Sequence, residues 1–157
     1  MKLLFRQRFF SWLDSYDVYY ENGQIAYTVE GKFGWGHRLH ILDASGRHVA
    51  TLKERIFHFL PTFELYVGDQ YVGCIRKEFT LFRPRFTVEC SGWDVEGDFF
   101  GWDYRITAPG GVSVATVYKE LFRFTDTYVI DVCDPQSALL SLLVVLAIDA
   151  EKCSNND

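Results

Sequence analysis

The chain has 157 residues, a formal net charge of −5 and a pI near 5.3. A dedicated nucleic-acid binder carries an excess of Lys and Arg, so this balance argues against that class. Hydrophobic residues at 48% and charged residues at 24% suit an ordinary globular protein with a proper core.

Aromatic residues make up 17% of the chain and fall mostly in strand-like runs, where they pack well on pleated surfaces. The opening Met1-Lys2-Leu3-Leu4-Phe5-Arg6-Gln7-Arg8 is broken by charge before a signal-peptide core forms. With no transmembrane run either, the chain reads as cytoplasmic. Strand signals then recur near 3–10, 15–20, 24–31, 38–43, 47–55, 63–67, 70–78, 85–90, 93–99, 102–107, 112–119 and 127–132. Glu21-Asn22-Gly23, Ala44-Ser45-Gly46, Gly68-Asp69 and Pro109-Gly110-Gly111 supply turn chemistry between them. No linker or charge block divides the series, so residues 1–150 read as one domain and 151–157 as a polar tail.

The last element differs in kind. Asp134-Pro135 is a helix start signal, and 138–148 are apolar at every position except Ser141. A segment apolar all round has to be buried on every side. It is too short for a membrane span, which takes about 20 residues. The expectation is a buried helix over about 135–150, enclosed by the β-structure.

An internal repeat supplies the enclosure. Val29-Glu30-Gly31-Lys32-Phe33-Gly34-Trp35 returns as Val95-Glu96-Gly97-Asp98-Phe99-Phe100-Gly101-Trp102, starting 66 residues later and with Phe100 inserted, and Lys53-Glu54 returns 66 residues later as Lys119-Glu120. Two similar halves closing on each other remove exposed sheet edges, and a barrel of about twelve antiparallel strands has an interior for the helix to fill.

The segments Val29-Glu30-Gly31-Lys32-Phe33, Leu39-His40-Ile41, Lys77-Glu78-Phe79, Trp93-Asp94-Val95-Glu96-Gly97-Asp98-Phe99, Asp126-Thr127-Tyr128-Val129 and the closing Leu-rich helix resemble the LURP-one-related family. That family belongs to the superfamily sharing the Tubby C-terminal-domain fold, with the phospholipid scramblases. The resemblance implies a mainly β, Tubby-like closed barrel around a hydrophobic C-terminal helix. Tubby proteins bind phosphoinositides through a basic patch and scramblases act at membranes with calcium. Fold kinship transfers neither activity, and no Tubby lipid motif matches here residue by residue.

Candidate sites are few. Arg76, Lys77, Arg83 and Arg85 cluster around Pro84, and Lys53, Arg55, Lys119 and Arg123 occupy related places in the repeated elements. Such residues bind lipid phosphates by charge-assisted hydrogen bonds, whereas pairing with neighbouring glutamates would leave an ordinary solvated face. Asp94, Glu96 and Asp98 alternate along one strand face, with Asp103 after the turn. They are a weak calcium alternative that lacks the EF-hand loop. His37 and His40 point to opposite strand faces, and His48 and His58 read as isolated. The cysteines Cys74, Cys90, Cys133 and Cys153 have no metal spacing. No catalytic constellation, metal or cofactor is expected. The functional expectation is a non-enzymatic binding or adaptor module recognising anionic phospholipid headgroups at a membrane surface. The alternative is a structural or regulatory protein–protein interaction domain without lipid affinity.

Overall fold

The structure of the protein, a computed structural model, describes residues 1–6, 14–32, 34, 36–55, 60, 62–79, 84–89, 91–121 and 126–154. Twelve strands follow in chain order: β1 (Lys2–Phe5), β2 (Ser15–Tyr20), β3 (Ile25–Lys32), β4 (Arg38–Asp43), β5 (His48–Glu54), β6 (Thr62–Val67), β7 (Gln70–Phe79), β8 (Pro84–Val88), β9 (Trp93–Asp98), β10 (Asp103–Ala108), β11 (Val112–Leu121) and β12 (Asp126–Val132). Each pairs antiparallel with the next, and β1 closes the ring on β12. The continuation of the first strand expected beyond residue 6 lies outside the described residues.

Alternation along the strands sends one side chain in two toward the barrel axis. Val29, Leu39, Ile41, Leu52, Leu65, Ile75, Val95, Ile106, Val117 and Ile130 point inward with no exposed surface. Against them lies α1 (Ala138–Ser154), entered through a 3-10 turn at Pro135–Ser137 whose first amide donors are capped by Asp134: Gln136 N–H donates to Asp134 Oδ1 at 3.0 Å. All eight residues from 141 to 148 are buried, so the helix has no solvent face and forms the barrel's centre. The helix continues four residues past the expected end at 150, because Glu151 and Lys152 both find partners at the barrel mouth.

The sequence repeat is a repeat of register. Gly31, Lys32 and Arg38 correspond to Gly97, Asp98 and Asp103: Lys32 stands opposite Arg38 on β3–β4 as Asp98 stands opposite Asp103 on β9–β10. Gly97 has φ +142°, and a Cβ there would lie 2.5 Å from the Asp103 carbonyl oxygen. Glycine is therefore required where β9 crosses β10 closely.

Four hairpins carry a bulge near their turns, and the one between β4 and β5 matters most. Ile41 faces Ala50 but Leu42 faces His48, leaving Val49 as the extra residue. Strict alternation from buried Ala50 and Leu52 would turn His48 inward; the bulge turns it out. The adjoining turn is fastened by Asp43. Its carboxylate accepts from Ser45 N–H at 2.9 Å, Ser45 Oγ at 2.6 Å, and Arg47 N–H and Nε–H at 3.0 Å each. These donors, with Ser45 the largest influence, hold the Asp43 carboxyl down at about 2.

Candidate functional site

Of the basic residues nominated by sequence around Pro84, the described Arg76, Lys77 and Arg85 do not converge. Arg76 lies outward on β7 and pairs with Glu89 at 3.1 Å. Lys77 shares the inward parity of Ile75 and reaches into the barrel mouth, where it pairs with Glu151 of α1 at 2.5 Å. Arg85 pairs with Asp94 at 2.8 Å and approaches Glu96 at 3.6 Å. Arg83 lies outside the described residues. Of the related ring, Arg55 pairs with Glu64 and Lys119 with Asp126, both at 2.7 Å, Lys53 has no carboxylate within ion-pair distance among the described residues, and Arg123 lies outside them. Lys77 is thus an internal strut tying helix to wall, a direction that strand parity alone would have revealed once its register was known.

Asp94, Glu96 and Asp98 do share the outer face of β9, as their alternation predicts. Arg85 engages the first two, and Asp98 Oδ1 accepts from Gly101 N–H at 2.9 Å. Among the described residues no group of three or more His, Cys, Asp or Glu is arranged to hold a metal ion.

Cations do gather elsewhere. Lys32, Arg38 and Lys53 form one outward row across β3, β4 and β5 through direct cross-strand register. Like charges directly opposite each other destabilise a sheet. Lys32 is relieved by Glu30 at 2.8 Å. Arg38 and Lys53 have no carboxylate within ion-pair distance among the described residues. Glu64, opposite Lys53, is already held by Arg55 and by the Tyr66 hydroxyl. The Arg38 Nε is buried and has no hydrogen-bond partner in the described structure.

Beside this row, His40 and His48 stack with ring centroids 4.3 Å apart and planes 17° from parallel. His48, which reads as isolated in the sequence, reaches this position through the Val49 bulge. Its Nε2 lies 2.8 Å from both the Ala50 carbonyl oxygen and Thr51 Oγ1. Arg38, His40, His48, Thr51, Lys53, Tyr66 and Asp69 line a groove of about 310 Å³. Burial, then the positive charges of His48, Lys32 and Arg38, push the His40 pKa below the usual histidine range. Sequence reasoning nominated Lys53 but missed its companions, because the members come from three strands and a bulge.

The pseudo-equivalent groove of the second half has the opposite charge. Where the first half sets Lys32, Arg38 and Lys53 in register, the second sets Asp98, Asp103 and Tyr118. Glu96, Asp98, Asp103, Arg105 and Thr116 line a groove of about 530 Å³ there. Since β4 and β10 lie six strands apart either way round a ring of twelve, the two faces are diametrically opposed. The two aligned rows thus carry opposite charge on opposite sides of the barrel.

The barrel mouth at the end of α1 holds a third cluster. Lys152 Nζ lies 4.3 Å from the Trp102 ring centroid, and Trp102 packs on Tyr128 at 4.3 Å and Phe5 at 5.7 Å. Trp102 takes φ +55°, a left-handed conformation that its packing maintains. Asp149 is half-buried next to this cluster, and burial raises its carboxyl to about 6, with Lys152 opposing.

Comparison with known proteins fits the geometry. The model of the LURP-one-related family matches residues 1–149. Protein YxjI of Bacillus subtilis (strain 168), itself uncharacterized, is 23% identical over 158 residues, covering 100% of this chain and 97% of that one. An X-ray structure of a protein from Arabidopsis thaliana superposes with a TM-score of 0.64 at 17% identity, covering 96% of this chain and 90% of that one, and shows the same fold. The Tubby-like barrel with its central helix, expected from the residues, is the fold observed. With a family match running from the first strand almost to the end of the helix, the chain belongs to the LURP-one-related family.

Proposed function

We propose that the protein is a non-enzymatic binding module that engages anionic phospholipid headgroups at a membrane surface through the outer face of β3–β5. The observation that carries this reading is the Arg38–Lys53 pair: two like charges in direct register, without carboxylate partners among the described residues, on the side of the barrel opposite its acidic face. The interior offers no competing site along 141–148, where the helix fills it. Each Lys or Arg near an anionic leaflet contributes about 1 kcal/mol, so Arg38 and Lys53, the two without a carboxylate partner among the described residues, together supply about 2 kcal/mol. The acidic face of β9–β11 adds orientation, since it is repelled while the cationic face is attracted. This arrangement reconciles attraction to anionic lipid with a net charge of −5.

Among the described residues no helix is long and apolar enough to cross a membrane. The proposed association is peripheral, through the charged outer face of β3–β5. Flotation with phosphatidylserine-containing vesicles tests it: salt-sensitive binding is expected, and its complete lack at low salt would favour the protein–protein interaction role instead.

A further inference from the structure

The groove over β4 and β5 is more specific than a charged face. We infer that it is a discrete site for a doubly charged oxyanion, the terminal phosphate of a phosphomonoester, in which Arg38 and Lys53 supply fixed charge and His40 supplies a charge that depends on pH. The site rests on the binding reading above and assigns it a ligand class and a regulator.

The geometry supports a pocketed anion. Arg38 and Lys53 line the groove from adjacent strands without a carboxylate partner among the described residues, and Thr51 lines it beside them. A guanidinium uncommitted to a carboxylate matches oxyanion recognition by charge-assisted hydrogen bonds. A groove of about 310 Å³ is within the range of small-molecule pockets, leaving space for the group that bears the phosphate.

The groups facing His40 explain the coupling to protons. On β3, Glu30 is its cross-strand partner and is bound to Lys32. Arg38 lies two residues away on β4 itself. On β5, His48 stacks on the ring, with Thr51 opposite and Lys53 next along the strand. From β6 and its turn come Tyr66 and Asp69. Burial, and then the cations that outnumber anions around the ring, make the imidazole resist protonation in the free groove. A bound dianion reverses that field, and His40 takes up a proton with it. By linkage, whatever raises proton affinity on binding makes binding tighter as pH falls.

Sulfate is the probe, because it remains doubly charged between pH 5 and 8 and any pH dependence then belongs to the protein. Full-length protein is titrated with sulfate at pH 5.5 and 7.5, followed by calorimetry and by the imidazole NMR signals. Binding about five-fold tighter at pH 5.5, proton uptake, and a raised His40 titration midpoint are expected. Arg38→Gln and Lys53→Gln should abolish the effect, His40→Gln should flatten its pH dependence, and Arg76→Gln, which removes an equal charge elsewhere on the barrel, should leave it intact. Equal affinity at both pH values, or equal losses from Arg76→Gln and Arg38→Gln, would overturn the site. A parallel arm uses vesicles containing either phosphatidylserine or a phosphomonoester lipid at matched charge. Sulfate binding without vesicle binding keeps the site and makes its ligand soluble, against the membrane reading. Vesicle binding indifferent to pH, with no sulfate site, keeps the membrane reading and sinks this one.

Discussion

Arg38 and Lys53 stand directly opposite each other on β4 and β5, both pointing out of the barrel, and no carboxylate among the described residues lies within ion-pair distance of either. Neighbouring basic residues show the contrast: Arg55, Arg76, Arg85 and Lys119 each have an acidic partner at 2.7–3.1 Å. A stability-driven surface would place opposite charges at such a register. Arg38→Glu does so, since it faces Lys32 on one side and Lys53 on the other, and should raise unfolding free energy by about 0.2–1 kcal/mol in urea titration while removing anion binding.

Lys77 and Glu151 make the opposite kind of pair, largely buried and spanning wall and helix. Removing the lysine takes a charge-assisted partner from a carboxylate that is 4% exposed. Lys77→Ala should therefore cost about 1–3 kcal/mol, against less than about 0.5 kcal/mol for the exposed Arg76→Ala. Denaturant midpoints of the two variants, measured side by side, check the order.

Asp149 gives the barrel mouth a pH signature. Its carboxyl titrates at about 6 in the folded protein against 3.8 ordinarily, so between these values the folded state holds a proton that the unfolded chain has released. Stability from this group is present below about pH 4 and is lost as pH rises through 6, a loss of about 2–3 kcal/mol. Asp149→Asn should leave thermal stability at pH 4 near that of the parent and raise it at pH 7.5. A variant equally stable to the parent at pH 7.5 would show that Asp149 is not desolvated.

The helix is the core, so it should behave as one. Leu143→Ala, at a site with no exposed surface, is expected to cost about 2–5 kcal/mol. A fragment ending at residue 133 should fail to fold, read as the loss of a cooperative melting transition.

Gly97→Ala should also be severely destabilising. Its Cβ would lie 2.5 Å from the Asp103 carbonyl and 2.6 Å from Tyr104 Cα, both backbone atoms that cannot step aside. Gly46→Ala, at φ +81° with nothing within 4 Å of the new methyl, carries only conformational strain and should cost less. Paired denaturation curves decide this.

The fold was legible because it rests on local signals. Alternation, turn residues and the apolar run of 138–148 each act over a few residues, and the 66-residue repeat implied closure. The site was not, because it rests on register. Lys53 stood out through the repeat, but Lys32 and Arg38 sit in segments that look unremarkable singly, and only the ladders align the three. His48 was harder still, since period-two reading from Ala50 and Leu52 sends it inward and a single extra residue, Val49, sends it out. Conversely, the dense run of basic residues from 76 to 85 looked like a site. Its described members instead face different directions and are matched with Glu89, Glu151 and Asp94.

The most direct test of a binding face on β3–β5 is vesicle flotation of three full-length proteins: the parent, Lys53→Glu and Arg76→Glu. Both substitutions change net charge equally, so bulk repulsion is matched. The account predicts salt-sensitive flotation of the parent with phosphatidylserine vesicles, loss of it in Lys53→Glu, and retention in Arg76→Glu. A parent that does not float at low salt, or two variants that lose binding equally, would contradict it.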